Sequence, residues 1–216
     1  VSVRDIKLGA DIEAESFRII DAEASEPRPF DALQWQVVRR MIHTTADFEM
    51  LALTRFHPLA MEAGVAALAR GCRLFTDTEM ARAGIPERRM SRLGCSVDCL
   101  MRAPEVMELS QAQGITRARA AIDYAVERLR PDIYVIGNAP TALLRLLEHI
   151  DAGRARPVLV VGMPVGFVNA AESKDLLMAQ DAVPYIAVAG RKGGSALAAS
   201  AVNALAEIAL RRKEEA

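Results

Sequence analysis

PVLVVGMPVGFVNAAESK, residues 157–174, is the stretch whose reading decides the fold class. Val158, Leu159, Val160 and Val161 follow one another without polar alternation. That is the pattern of a strand buried on both faces, as parallel strands are between two layers of helices. Gly162, Pro164 and Gly166 then break the run, and Asn169, Glu172, Ser173 and Lys174 bring polar groups to the start of the next helix. Ligands of open parallel sheets bind beyond the carboxyl ends of the strands, so a site is expected at this turn. An ordinary capped turn with no ligand accounts for the same spacing equally well.

The same strand–turn–helix order recurs on both sides of this stretch. Residues 132–136 predict a strand, 137–140 a tight turn and 141–150 a helix; 158–161, 166–169 and 170–179 repeat the unit, and 185–188, 190–195 and 196–212 repeat it again. Three such units in succession imply an α/β fold, a three-layer α/β/α arrangement around a mainly parallel sheet. Upstream, helices are expected over 8–22, from a cap at Asp31 to residue 42, over 59–69, over 79–83 and over 116–130, with strands at 72–76 and 94–100. At 216 residues the chain is long enough for one sizeable core, and one domain spanning 1–216 is expected.

Composition excludes several classes of function. With 27 basic against 28 acidic residues there is no basic excess, so a general nucleic-acid binder is disfavoured. The apolar runs around Val158 and Val183 are far shorter than the roughly 20 residues that span a bilayer. Arg4, Asp5, Lys7, Asp11, Glu13 and Glu15 interrupt the place of a signal segment, so a cytoplasmic protein is expected. Three cysteines, Cys72, Cys95 and Cys99, do not describe a disulfide framework, and without a fourth ligand at a recognisable spacing they predict no metal site.

Three turns could hold an anion, because small residues let a ligand approach the backbone and the next helix offers unpaired N–H groups. They are Gly137-Asn138-Ala139-Pro140-Thr141, the 162–169 turn, and Gly190-Arg191-Lys192-Gly193-Gly194-Ser195. None has the spacing of a P-loop or of G-x-G-x-x-G, which disfavours a nucleotide-dependent enzyme. Of the three histidines, His57 precedes a proline at a helix start, and His149 reads as a surface residue favoured by a helix dipole. His43 follows Arg40 by three residues, so both can project from one side of a helix end. Histidine gives and takes a proton near neutrality, which makes His43 the acid–base candidate; a capping or packing role is the simpler account. The helix dipole alone explains Arg39 and Arg40 in a last turn.

Several segments together resemble the precorrin-8X methylmutase family, also called cobalt-precorrin-8 methylmutase. They are Ser16-Phe17-x-Ile19-Ile20, Arg40-Met41-Ile42-His43, Asp77-x-Glu79-Met80, the run from Ile136 through Gly137-Asn138-Ala139-Pro140-Thr141 to Leu143, the run from Gly162 through Phe167 to Lys174, and Gly190-Arg191-x-Gly193-Gly194-Ser195. The resemblance extends from about residue 10 to residue 205. It implies an isomerase of cobalamin biosynthesis that moves a methyl group from C-11 to C-12 of (cobalt-)precorrin-8, a 1,5-sigmatropic shift giving hydrogenobyrinate or cobyrinate. It also implies His43 as the acid–base residue, Arg40 and Ser16 as substrate contacts, no cofactor, and a homodimer with sites near the subunit interface. A large apolar ring bearing carboxylates would suit apolar walls rimmed by Arg40, Arg117, Lys174, Arg191 and Lys192. By position, Arg117, Asn138, Ser173, Lys174, Gly193, Gly194 and Ser195 are expected at the tetrapyrrole, and the product would be handed to other corrin-pathway enzymes. A non-catalytic corrinoid carrier and an unrelated nucleotide-binding α/β protein are the alternatives.

Overall fold

The structure is a computed structural model and describes residues 9–24 and 26–215. The first half of the chain contains α1 (Gly9–Glu23), α2 (Ala32–Thr45), α3 (Met50–Leu53), β1 (Thr54–Phe56), α4 (Ala60–Arg70), β2 (Arg73–Thr76), α5 (Glu79–Ala83), α6 (Glu87–Leu93) and β3 (Ser96–Asp98). The second half contains α7 (Pro104–Gln113), α8 (Arg117–Tyr124) with a π-helical turn (Ala125–Leu129), β4 (Ile133–Ile136), α9 (Pro140–Asp151), β5 (Leu159–Gly162), α10 (Ala170–Ala179), β6 (Tyr185–Val188) and α11 (Ser195–Glu215).

Among the described residues, six strands form one sheet in the order β1-β6-β5-β4-β2-β3. All neighbours are parallel except β1, which runs antiparallel to β6 at the edge. The central strands are buried on both faces, as their unbroken apolar runs require. Ile133, Val135, Leu159 and Val161 face one core with residues of α2, α4, α6 and α11. Tyr134, Ile136 and Val160 face the other, with α7, α8, α9 and Leu177 of α10. The α/β/α layering expected from the three repeated units is therefore present.

Strand order reverses between β2 and β4. From β4 the chain steps through β5 to β6 in one direction, whereas β3 lies on the far side of β2. Asp77, directly after β2, is buried at this reversal and accepts backbone N–H bonds from Gly137 (2.9 Å), Asn138 (2.9 Å) and Ala139 (2.7 Å). One carboxylate thus satisfies the donors of the turn that leads into α9 and joins the ends of β2 and β4.

Local chemistry caps the starts of α2 and α8. Asp31 forms a full capping box, accepting from Leu33 and Gln34 backbone N–H while the Gln34 side chain accepts from Asp31 N–H. Thr116 caps α8 through Arg119 N–H at 3.2 Å. The helix expected over 116–130 is α-helical only to Tyr124, then widens into the π turn. The strands expected at 72–76 and 94–100 shorten to Arg73–Thr76 and Ser96–Asp98, and the predicted start of the first helix at Leu8 lies outside the described residues.

Replacing Asp77 with Asn turns one acceptor into an N–H donor facing a backbone N–H. Loss of charge-assisted hydrogen bonds at a buried helix end costs about 2–3 kcal/mol. Asp77→Asn should lower the thermal unfolding midpoint by roughly 5–10 °C for a chain of this size, measured by calorimetry; an unchanged midpoint would show that the carboxylate does not hold the two turns.

Candidate active site

The carboxyl ends of β2, β4, β5 and β6 share one edge of the sheet. Of the three turns there, the first is not an open anion cradle: Asp77 already takes the N–H groups of residues 137–139. Burial leaves the Asp77 pKa raised, and the three donors offset only part of that shift. Asn138 remains exposed beside this turn.

The second and third turns are built against each other. A Cβ on Gly193 would lie 2.2 Å from the Met163 carbonyl oxygen, so only glycine permits this approach. Gly194 N–H donates to the same carbonyl at 2.9 Å, and Gly166 N–H to the Arg191 carbonyl at 3.3 Å. Lys174 is fully buried and donates from Nζ to the Lys192 carbonyl at 2.6 Å. Desolvation lowers its pKa to about 8. Ser173 Oγ donates to the Ala170 carbonyl, and Ser195 Oγ lies 2.8 Å from Thr78 Oγ1. Gly137 abuts Ser195, where an added Cβ would lie 2.7 Å from the Ser195 Cα, and so brings the first turn alongside the third.

His43 belongs to a separate group on α1 and α2. Its ring meets Phe17 edge-on at 5.4 Å, and it has no hydrogen-bond partner among the described residues. Arg40, with 12% of its side chain exposed, pairs with Glu13 (2.8 Å) and Glu207 (2.7 Å), while Arg39 pairs with Asp21 (2.7 Å). These carboxylates, rather than the helix dipole alone, account for the two arginines. Ser16 Oγ donates to the Ile12 carbonyl within α1. The group is tied to the sheet edge through Lys192, whose Nζ reaches Asp47 (2.5 Å) and Glu49 (3.0 Å), just beyond α2.

Thus Arg40 and His43 share the Phe17 ring, next in sequence to Ser16, and Ser173, Lys174, Gly193, Gly194 and Ser195 come together, with Asn138 adjoining the latter. Arg117 stands apart, exposed at the first residue of α8, although Thr116 Oγ1 and Thr141 Oγ1 meet at 3.0 Å between the starts of α8 and α9. Two aromatic residues stand out that the residue-type argument did not single out. Phe17 is the contact of His43, and Phe167 is 83% exposed beside Val168, with the Arg191 guanidinium 5.4 Å from its ring. The signal for Phe167 was an aromatic side chain inside a Gly/Pro turn, where solvation alone would favour a polar residue.

The sequence model of the family described as precorrin-8X methylmutase matches residues 11–208. The chain belongs to the precorrin-8X methylmutase family. It is 41% identical over 214 residues to the cobalt-precorrin-8 methylmutase of Leptospira interrogans, covering 96% of this chain and 97% of that protein. It is 45% identical over 199 residues to that of Salmonella typhimurium, covering 90% and 92%. The crystal structure of precorrin-8X methylmutase from Thermus thermophilus superimposes with a TM-score of 0.87 at 49% identity, covering 95% of this chain and 98% of that one. This methylmutase is accordingly an isomerase that transfers a methyl group within one molecule, and no helix among its described residues is long and apolar enough to cross a membrane.

Lys174 yields a test by pH. Its folded-state pKa is about 8, against 10.5 for an ordinary lysine, so between those values the unfolded chain binds more protons and stability rises with pH. The slope is at most about 1.4 kcal/mol per pH unit. Comparing denaturant midpoints of the parent and Lys174→Met from pH 7.5 to 10.5 should show this rise in the parent only; parallel curves would place Lys174 in contact with water.

Proposed function

We propose that the chain moves a methyl group from C-11 to C-12 of precorrin-8 or its cobalt complex, giving hydrogenobyrinate or cobyrinate, with His43 as the acid–base group. The observation that carries this reading is the setting of His43. It is half-buried against Phe17, its ring nitrogens are not engaged by other described residues, and two fixed guanidiniums flank the same aromatic ring. A proton delivered to the conjugated macrocycle withdraws electron density from the carbon that bears the methyl group and biases the shift; the imidazole recovers the proton afterwards. The migrating group belongs to the substrate, so the reaction balances without a cofactor.

The remaining residues divide by exposure. Ser173, Lys174 and Ser195 are buried and already hydrogen-bonded; with Gly193 and Gly194 they shape the pocket rather than reach across it. Arg117, Asn138 and Arg191 are exposed and supply donors to substrate carboxylates. Arg40 is held by Glu13 and Glu207 but keeps N–H groups for a carboxylate, beside Ser16. Phe167 and Val168 offer an apolar wall to the ring. In this reading the enzyme works as a cytoplasmic homodimer with its sites near the subunit interface, and passes its product to the next corrin-pathway enzyme.

His43→Ala tests the assignment. The kcat for methyl migration should fall by roughly 10²–10⁴-fold, the range for loss of a general acid–base group, while the corrinoid Kd stays within about threefold. Rearrangement at the parental rate would remove His43 from the mechanism. Tight corrinoid binding by the unaltered chain without spectral conversion would instead identify a carrier.

A further inference from the structure

The amino edge of the sheet carries a second cleft that the methyl shift does not use. Its volume is about 760 Å³, within the range of pockets that hold small organic ligands. Arg130, Arg145, Arg154 and Arg156 line it against only two carboxylates, Asp123 and Glu127. Arg145 is neutralised, with Nε 2.5 Å from Asp123 and Nη1 2.5 Å from Glu148. Arg130, Arg154 and Arg156 have no carboxylate partner among the described residues, so the cleft holds an excess of positive charge.

The inner wall is an ordered polar network rather than a loose surface. His149, which the sequence placed at the surface, is buried. Arg154 Nε donates to His149 Nδ1 at 2.9 Å, so the ring proton sits on Nε2, which donates to Asp123 at 2.5 Å. This chain of contacts fixes Arg154 at the cleft with its terminal N–H groups unspent. Arg130 is held there by an unusual backbone: it ends the π-helical turn with φ of 49°, in the left-handed region that a residue with a side chain rarely occupies. Single π turns and such strained residues recur at functional sites. Tyr134, whose ring is packed in the core, lines the cleft, and its hydroxyl has no hydrogen-bond partner among the described residues, so its proton is free for an oxyanion bound there. Burial also pushes the Tyr134 pKa up, which keeps the phenol a donor.

We propose that this cleft binds a multiply charged oxyanion, a phosphate or polycarboxylate group on a small apolar body, held by Arg130, Arg154 and Arg156 with the Tyr134 hydroxyl donating from the floor. The site shares no residue with the carboxyl edge, so it stands or falls separately from the methylmutase mechanism.

Titration calorimetry of the purified chain at low ionic strength with inorganic pyrophosphate, and separately with citrate, tests it. At least one of the two should bind: pyrophosphate alone marks a phosphate ligand, citrate alone a carboxylate one. The double variant Arg130→Gln/Arg156→Gln should weaken that binding at least about tenfold. Tyr134→Phe, which removes a hydroxyl that holds nothing in the protein and so leaves the unfolding midpoint in place, should weaken it by roughly three- to tenfold. His43→Ala should bind as the parent does. Failure of both anions to bind at millimolar concentration, or equal affinity in the parent and both arginine and tyrosine variants, would overturn the proposal.

Discussion

The carboxylate of Asp77 is the constraint on which the carboxyl edge depends. In an open α/β sheet the crevice at the strand-order reversal is where a ligand anion usually meets helix N–H groups. Here the chain fills that crevice itself, with Asp77 accepting from residues 137, 138 and 139. The ends of β2 and β4 are thereby joined, and Gly137 is held against Ser195, at the start of α11. The proposed function accordingly puts the substrate above this junction, on the turns that follow β5 and β6.

Those two turns are held by a second set of interactions that trade solvation for geometry. Lys174 is buried at a cost reflected in its lowered pKa, and in return it fixes the Lys192 carbonyl. Lys192 then projects outward to Asp47 and Glu49, so one short segment connects the sheet edge to the end of α2, four residues beyond His43. Lys174 and Lys192 thus act as braces. Under the proposed function, the exposed Arg117 and Arg191 join Arg40 in meeting a polycarboxylate substrate, and Phe167 and Val168 offer apolar surface to its ring. A site of this kind, built from rigid turns with exposed groups above them, suits a ligand too large to be enclosed by one small cavity.

Much of this was legible in the sequence because the relevant signals are local. The apolar runs at 133–136, 159–162 and 185–188, each followed by a breaker and a helical period, report a buried parallel strand directly. The caps at Asp31 and Thr116 were equally readable. β1 escaped because three residues following α3 without a turn residue carry too short a pattern. α6 and α7 carry local marks as well: Pro86 and Pro104 stand at their starts, and Gly94 and Gly114, both at positive φ, at their ends. What no local pattern could show is pairing across the fold. That Asp77 would fill the first anion-binding turn, that Arg40 would be held by Glu13 and Glu207, and that His149 would be buried against Asp123 all depend on residues 26 to 167 positions apart. The placing of Arg40 and His43 on one helix was readable in the sequence, whereas the burial of Ser173, Lys174 and Ser195 required the structure.

The most direct test of the central claim is a crystal structure of this chain with its corrinoid product bound. The account predicts the macrocycle at the carboxyl edge of the sheet, with a His43 ring nitrogen within hydrogen-bonding reach of the conjugated system near C-11 and C-12, and the Phe167 ring against its face. A macrocycle seated elsewhere, or one whose C-11 and C-12 edge faces away from His43, would contradict it.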